Sequence, residues 1–413
     1  MFAYFDESYL FKAYLVLLFS LFLNSCGQQQ FTQATVEASD SNSYVKPTLS
    51  IDQESATESL STSILPLPSQ HAVQSPEKDS IVAFVSDRRE RNNLDIWIIE
   101  TETGRLEALT SDDSQDWNPL WSPDGEKLAY LSARSKEDIY VVVLDFQSRR
   151  VVGQLYKPDI WNISWSSDSN GLWLDTYSGI WRYDLLEENA TELFDNSDGG
   201  LVAESHDGRF IAIGSQENEG SNAYSLQIQS TESDTVPIQF SENTLNLSVS
   251  GIAWANTTPR LVATFQTTTS HFTGRISVLD FTGIVFEEVA TTSDEELALD
   301  YCRPAWSPLG DHLSYVVAWS YAEVPCLGNV YVVKDDLHQT VHISDNATIT
   351  QQPWSPTGTQ IVFSQNAKSP WWAPSRSFGF PGEGSIWLSN HDGGEKRMLT
   401  DGEWYDGEAV WRP

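Results

Sequence analysis

The stretch Trp117–Gly125, W-N-P-L-W-S-P-D-G, decides how the rest of the chain is interpreted. A short apolar strand ends at Trp121, and a tight turn follows it. In that turn Pro123 fixes φ near about −65° and Gly125 permits positive φ, so the chain reverses at little cost. A second apolar strand, Leu128–Leu131, begins directly after the turn. The stretch therefore predicts a strand–turn–strand unit.

Variants of this unit recur along the chain. Their anchors are 40 to 57 residues apart and lie at Trp121, Trp165, Ser205, Trp254, Trp306, Trp354 and Trp411. Between the anchors are strands rich in β-branched and aromatic residues, such as Asp95–Ile99 and Ile139–Leu144. A period of about 40–50 residues with four short strands is typical of a β-propeller blade.

The count of strands predicts how the ring closes. We name the strands of a unit A to D, with A ending at the anchor, and count seven A strands and seven B–C–D triplets. Because the first triplet begins near Ile81, the last A strand, Ala409–Trp411, has to join the sheet of Ile81–Thr110. We therefore predict an all-β, seven-bladed β-propeller over residues 80–413 with 1+3 closure and about 48 residues per blade. Six or eight blades are the alternatives.

The repeat also resembles a known family. W-S-P-D-G followed by L-A-Y and D-I-Y-V is similar to the WD40-like repeat of TolB-type propellers. Similar repeats occur in propeller domains of prolyl-oligopeptidase-type peptidases and in oligogalacturonate lyases. The resemblance covers residues 80–413 and implies the fold rather than one activity. The TolB proteins add an α/β domain and the peptidases add a hydrolase domain, and this sequence resembles neither addition.

Residues 1–26 resemble a bacterial lipoprotein signal. The apolar segment Ala13–Leu23 is too short to span the ~30 Å hydrocarbon core as a helix. It ends in Leu23-Asn24-Ser25-Cys26, and the resemblance implies a lipid on Cys26. An ordinary cleaved signal and an N-terminal anchor are the alternatives, because Lys12 is the only basic residue before the segment.

Residues 27–79 are rich in Ser, Thr and Gln, and their apolar residues are sparse and aperiodic. Such a composition buries too little surface to offset the entropy of ordering. We predict a flexible tether that would hold the propeller on the extracytoplasmic face of the cell envelope.

The charge of the chain limits its partners. The sequence has 58 acidic and 24 basic residues, a formal net charge of −34. Nucleic acid and anionic membrane surfaces would be repelled, so the membrane is expected to be reached through the lipid alone. We predict a monomer that binds an envelope protein or a glycan. No cofactor is predicted, although adventitious Ca²⁺ on acidic loops is an alternative.

Connectivity assigns the loops to two faces. Adjacent strands of a blade are antiparallel, so the D–A and B–C loops share one face, and the short A–B turns lie on the other. The longest B–C insertion, Gln365–Gly384, carries large apolar side chains that form either a lid over the channel or a platform for a partner. The contact surface predicted on this face consists of Trp371, Trp372, Arg376, Trp404, Tyr405, Asp116 and Asp406.

One column of residues is predicted to line the central tunnel. It lies three residues before each anchor, in the innermost strand, and comprises Asn118, Asn162, Val202, Gly251, Arg303, Gln351 and Glu408. Polar side chains inside apolar strands form either a hydrated structural ring or part of a ligand site. The binding positions predicted here are Asn118, Asn162, Arg303, Gln351 and Glu408.

The cysteines and the missing motifs complete the interpretation. Cys302 and Cys326 fall on the same face of one blade, so we predict a disulfide in an oxidising compartment. The sequence contains none of G-x-S-x-G, H-E-x-x-H, C-x-x-C and G-x-G-x-x-G, and its seven histidines are scattered, so no catalytic residues and no metal site are predicted. A binding or scaffold module is therefore favoured, and a glycan-active lyase or hydrolase with carboxylates at the tunnel mouth is the alternative.

Overall fold

The structure is a computed structural model that describes residues 80–135, 138–195, 200–216, 224–231, 238–240, 247–267, 274–280, 285–291, 299–319, 326–334, 339–366 and 384–413. These residues belong to the second of two units, His71–Pro413. The predicted signal with Cys26, the predicted tether, and Trp371, Trp372 and Arg376 lie outside the described residues. Within the described ranges, no helix has the length and apolar character needed to cross a bilayer.

The described residues form 27 β-strands and no α-helix. In chain order the strands are β1 (Ile81–Glu90), β2 (Asn93–Glu100), β3 (Leu106–Ala108), β4 (Gln115–Trp121), β5 (Lys127–Ser135), β6 (Asp138–Asp145), β7 (Arg150–Tyr156), β8 (Ile160–Trp165), β9 (Gly171–Thr176), β10 (Gly179–Asp184), β11 (Asn189–Asp195), β12 (Gly200–Glu204), β13 (Phe210–Gln216), β14 (Tyr224–Ser230), β15 (Ile238–Phe240), β16 (Leu247–Trp254), β17 (Arg260–Thr267), β18 (Arg275–Asp280), β19 (Val285–Thr291), β20 (Leu299–Trp306), β21 (His312–Trp319), β22 (Gly328–Lys334), β23 (Thr340–Thr348), β24 (Gln360–Gln365), β25 (Ser385–Asn390), β26 (Arg397–Met398) and β27 (Asp406–Trp411).

The strands pair into antiparallel sheets. Five described sheets have four strands each, in the orders β27-β1-β2-β3, β4-β5-β6-β7, β11-β10-β9-β8, β12-β13-β14-β15 and β16-β17-β18-β19. The sixth runs from β20 to β26, because β23 also pairs with β24 through Ala347↔Gln365 and Thr348↔Ser364. Trp354 forms an isolated bridge with Ile361 of β24. The all-β class is confirmed, and the count of seven blades stays a prediction.

The first and last described strands pair with each other. In the register of β1 and β27, Val82 lies opposite Trp411 and Ala83 opposite Val410. Arg412 N also donates to Ile81 O at 2.9 Å. Neighbouring sheets contact one another in chain order, and β24 contacts β27, so the array forms a closed ring. The predicted 1+3 closure is confirmed.

In five of the units, the turn at the anchor repeats one hydrogen-bond pattern. Lys127 N donates to Ser122 Oγ at 2.9 Å, and Gly125 N donates to Ser122 O at 2.8 Å. Gly125 has a φ of 68°, a conformation that glycine adopts without steric cost. Equivalent turns begin at Ser166, Ser205, Ser307 and Ser355.

The anchor tryptophans join neighbouring units. Each is almost fully buried, and in three units the indole Nε1 donates to a backbone carbonyl one or two residues before the anchor of the previous unit. These bonds are Trp165 to Leu120 at 3.0 Å, Trp254 to Ala203 at 2.9 Å, and Trp354 to Ala305 at 3.0 Å. A buried indole needs an acceptor, so the repeated residue also fixes the distance between sheets.

Candidate ligand site in the central tunnel

The predicted column lies at bulges of the innermost strands. Asn118, Arg303 and Glu408 have φ values of 54°, 55° and 53°. The pairing register shifts between Trp117 and Leu120 and between Cys302 and Ala305, so an extra residue is left out of the ladder there. Asparagine tolerates this left-handed region, whereas arginine and glutamate adopt it only at a cost.

The ring brings all seven positions of the column to one cavity. Its volume is about 240 Å³, and its lining includes Asn118, Asn162, Val202, Gly251, Arg303, Gln351 and Glu408. Trp161, Ile252 and Pro304 add apolar wall that the sequence analysis did not single out. The residues come from innermost strands or from the segment before Trp354, which is why they converge although they are far apart in sequence.

Arg303 is the cation of this cavity. It is half-buried, and burial lowers the pKa of its guanidinium, while the charge of Glu408 opposes that shift. Within the part of the chain that the structure describes, the guanidinium makes no hydrogen bond and no ion pair. Arginine keeps its charge inside proteins, so a positive group that faces Glu408 across the cavity has no hydrogen-bonded partner among the described residues.

The other polar side chains of the column are held by hydrogen bonds. Asn118 N donates to Glu408 Oε2 at 2.6 Å. Gln351 Nε2 donates to Asn162 Oδ1 at 3.0 Å, and Asn162 Nδ2 donates to Asp175 Oδ2 at 2.7 Å. Burial raises the pKa of Asp175 well above its ordinary value, although the bond from Asn162 opposes the shift. The carboxamides of Asn162 and Gln351 are therefore engaged with protein groups, whereas Asn118 is held through its backbone N.

The chain is similar in fold to several proteins of known structure. No protein-family model matches the chain, and no curated protein matches it. Among solved structures, the β-propeller domain of the trilobed protease from Pyrococcus furiosus is 15% identical with a TM-score of 0.51, covering 78% of this chain and 95% of that one.

A structure from a study of two prolyl endopeptidases is 12% identical with a TM-score of 0.55, covering 81% of this chain and 49% of that one. This chain thus spans about half the length of that peptidase. The fold is a β-propeller. A putative TolB from Agrobacterium tumefaciens is 18% identical with a TM-score of 0.41, covering 64% of this chain and 94% of that one. Identities this low establish the fold of the propeller and nothing about its activity.

Three residues of the predicted contact surface are buried rather than exposed. The exposed fractions are 2% for Asp116, 1% for Tyr405 and 0% for Asp406. Asp406 accepts two hydrogen bonds from Arg88 Nη2, both at 2.8 Å. These three side chains are therefore not exposed as the prediction expected, because Asp406 packs against Arg88 of β1 and Asp116 is bonded to Ser132 and Thr110, and their contact with a partner stays a prediction.

Burial also changes the acidity of Asp116. Desolvation raises its pKa to about 7, against opposing hydrogen bonds from Ser132 and Thr110. Burial likewise raises the pKa of the Tyr405 hydroxyl well above its ordinary value. Trp404 remains half-buried on this face, with the Arg91 guanidinium 4.5 Å from its ring centroid.

A disulfide borders the cavity. The structure joins Cys302 of β20 to Cys326, with Cα atoms 5.9 Å apart, which is the pair that the sequence predicted. Cys326 also lines the cavity beside Arg303. The bond therefore ties the start of an innermost strand to the end of the B–C loop at the mouth of the tunnel.

A second cavity of about 420 Å³ opens on the A–B turn side. Its walls are the repeat residues themselves, among them Trp165, Trp254, Trp306, Trp354, Trp411, Pro123, Pro308, Pro356 and Pro413. Gln351 lines both cavities and so lies between them. The W-S-P repeat, which predicts the turns, is also the sequence signal for this cavity.

The described ranges contain no group of three or more His, Cys, Asp or Glu side chains arranged to hold a metal ion.

Proposed function

We propose that this propeller is a recognition module of the bacterial cell envelope that binds a protein or glycan partner and has no chemistry of its own. The D–A and B–C loops form its contact face, and the cavity around Arg303 is the centre of that face. The predicted loop residues Trp371, Trp372 and Arg376 are proposed to surround it, together with half-buried Trp404.

The observation that carries this proposal is the guanidinium of Arg303 in the tunnel cavity, which makes no hydrogen bond within the described ranges although Glu408 lies in the same cavity. A folded protein gains stability by pairing a partly buried charge, so a site that leaves it unpaired is better explained by a ligand than by folding. The unfavourable φ of Arg303 supports the same conclusion, because backbone strain accumulates at functional sites.

The proposed location is the extracytoplasmic face of the envelope, with a lipid on Cys26 and residues 27–79 as the tether. The signal-like composition of residues 1–26 supports it. The Cys302–Cys326 disulfide also supports it, since such bonds persist in oxidising compartments. The net charge of −34 favours a monomer without nucleic-acid partners, with membrane contact through the lipid alone and at most adventitious calcium.

An enzyme of the glycan lyase or hydrolase class would need two convergent carboxylates. The carboxyl groups of a glycosidase lie ~5–10 Å apart on either side of the bond that is cleaved. Among the described residues that line the cavity, Glu408 is the only one with a carboxylate. Recognition is therefore the function that this site supports better.

The proposal is tested by capture from an envelope extract on the immobilised full-length protein. Wild type should retain a partner, and Arg303→Asn should lose it, while Arg105→Gln, which changes an exposed arginine outside the tunnel, should behave as wild type. Deletion of 368–382 should also abolish capture and leave thermal unfolding nearly unchanged. Equal capture by all four proteins would refute a recognition site at the tunnel mouth.

A further inference from the structure

We infer that the tunnel cavity recognises the C-terminal carboxylate of a peptide chain, with Arg303 as the group that binds it. This inference rests on the proposed function and names the partner class of the same site. The partner is then a protein whose last residue enters the tunnel from the D–A and B–C face.

Arg303 differs from other arginines near this face in its hydrogen-bond partners. Arg303 lines the cavity and makes no hydrogen bond and no salt bridge with the described residues, although the charge of Glu408 acts on it. Other arginines near this face are satisfied: Arg88 bonds Asp406 at 2.8 Å, and Arg89 bonds Asp95 at 2.8 Å. A planar guanidinium matches a carboxylate with two parallel hydrogen bonds, and a partly dry cavity strengthens them.

The cavity is small. A volume of about 240 Å³ lies below the 300–1,000 Å³ that is usual for drug-sized ligands. A space of this size suits the end of a chain. Trp161, Ile252 and Pro304 give this space an apolar wall that suits the side chain of a last residue.

The hydrogen-bonding groups of the cavity suit the end of a peptide better than an acidic sugar. A uronate ring brings several hydroxyls, and each needs a hydrogen-bond partner when it is buried. Asn162 is already bonded to Asp175 and to Gln351, and Gln351 is bonded to Asn162. Two of the three carboxamides of the column, those of Asn162 and Gln351, are thus engaged, which leaves few groups for a ring of hydroxyls, whereas the guanidinium of Arg303 matches a single carboxylate.

Glu408 affects which last residue of a peptide the cavity prefers. Glu408 lies in the same cavity, and its negative charge acts on Arg303. A second acidic group on the ligand would approach Glu408 as a like charge, in a protein that already carries a net charge of −34. The site should therefore prefer a neutral last residue and disfavour Asp and Glu there.

The test measures fluorescence polarisation of the full-length protein with two labelled tetrapeptide pools. The pools have identical randomised sequences, and one ends in a free carboxylate and the other in an amide. Wild type should bind the acid pool at least tenfold more tightly than the amide pool. Arg303→Lys should retain part of this preference, Arg303→Asn should abolish it, and Arg105→Gln should leave it unchanged.

Equal binding of acid and amide pools, or binding of neither pool, would overturn the inference. So would tight, Arg303-dependent binding of glucuronic acid oligomers, which would assign the cavity to a glycan. If envelope capture by wild type succeeds while the acid pool fails, the proposed function survives and the inference alone is wrong. Thermal unfolding of each variant confirms that it is folded.

Discussion

Arg303 adopts a backbone conformation that its residue type disfavours. Its φ is 55°, and the corresponding residue in an earlier unit, Asn118, has a φ of 54°. Because asparagine is several-fold enriched in this region and arginine is not, the same bulge is easily accommodated at one position and strained at the other. The strain costs about 1–3 kcal/mol, and under the proposed function Arg303 is retained there for binding.

Arg303→Asn should therefore separate stability from function. We expect the free energy of unfolding to stay the same or to rise by about 1 kcal/mol, because strain and desolvation of a charge are both relieved. Partner capture should be lost at the same time. Urea denaturation measures the free energy of unfolding, with Arg105→Gln as the control. A marked loss of stability in Arg303→Asn would instead indicate a structural role for Arg303.

The raised pKa of the Asp116 carboxyl group should make the stability of the fold depend on pH. Its pKa is about 7 in the folded chain against an ordinary value of 3.8, so the folded state holds the proton more tightly than the unfolded state. The stabilisation from this group is full below pH ~4 and is lost as the pH rises through ~7.

Asp116→Asn removes this titration. The free energy of unfolding of the variant, relative to wild type, should be near zero at pH ~4 and should increase steadily up to pH ~8. Urea denaturation across this range measures it, with exposed Glu187→Gln as the control. A difference that does not change with pH would show that Asp116 is solvated.

At the scale of elements, β1 and β27 are joined by a buried ion pair. The exposed side-chain fractions are 9% for Arg88 and 0% for Asp406. Arg88→Gln would leave the Asp406 carboxylate buried without its partner, which should cost about 3–5 kcal/mol. Arg105→Gln should change stability little, because water screens its exposed pair with Glu100. Urea denaturation measures the free energy of unfolding of both variants. An equal decrease in the two would contradict a stabilising role for the Arg88–Asp406 pair between β1 and β27.

Local chemistry explains why the strands and their closure could be predicted. The hydrogen bonds that close the turn after Trp121 join residues within Ser122–Lys127. The local sequence S-P-D-G therefore predicts the turn wherever it recurs. The pairing of β23 with β24 was not predicted, because it depends on how far a D strand extends before the next unit begins.

The candidate site was only partly predictable for a different reason. Position in the repeat predicts that the column faces the tunnel. The bond between Gln351 and Asn162 joins residues 189 positions apart, and no pattern in the sequence indicates it. The burial of Asp406 likewise depends on Arg88, which is distant in sequence and adjacent in the ring.

At the scale of the whole molecule, Gln352 links three successive units near the closure. Its Nε2 donates to Trp121 O at 2.7 Å, and its Oε1 accepts from Trp121 N at 2.8 Å. Its backbone carbonyl accepts from Trp411 N at 2.8 Å. One side chain thus replaces a pair of strand hydrogen bonds across the ring.

Gln352→Ala should lower the free energy of unfolding by about 2–4 kcal/mol, because a buried donor and a buried acceptor of Trp121 lose their partners. Gln360→Ala, which removes a longer 3.4 Å bond to Asn390, should cost less. Urea denaturation followed by fluorescence and by circular dichroism measures both. Coincident transitions are expected, and a larger effect at Gln360 would show that Gln352 does not link the units.

The recognition surface is located most directly by photo-cross-linking. The acid-terminated peptide pool would carry benzoylphenylalanine next to its last residue, and adducts on the full-length protein would be mapped by mass spectrometry. The account predicts adducts on Trp161, Ile252 and Pro304, and none with the amide pool. Adducts concentrated on Pro123, Pro308 and Pro356, at the opposite end of the tunnel, would contradict it.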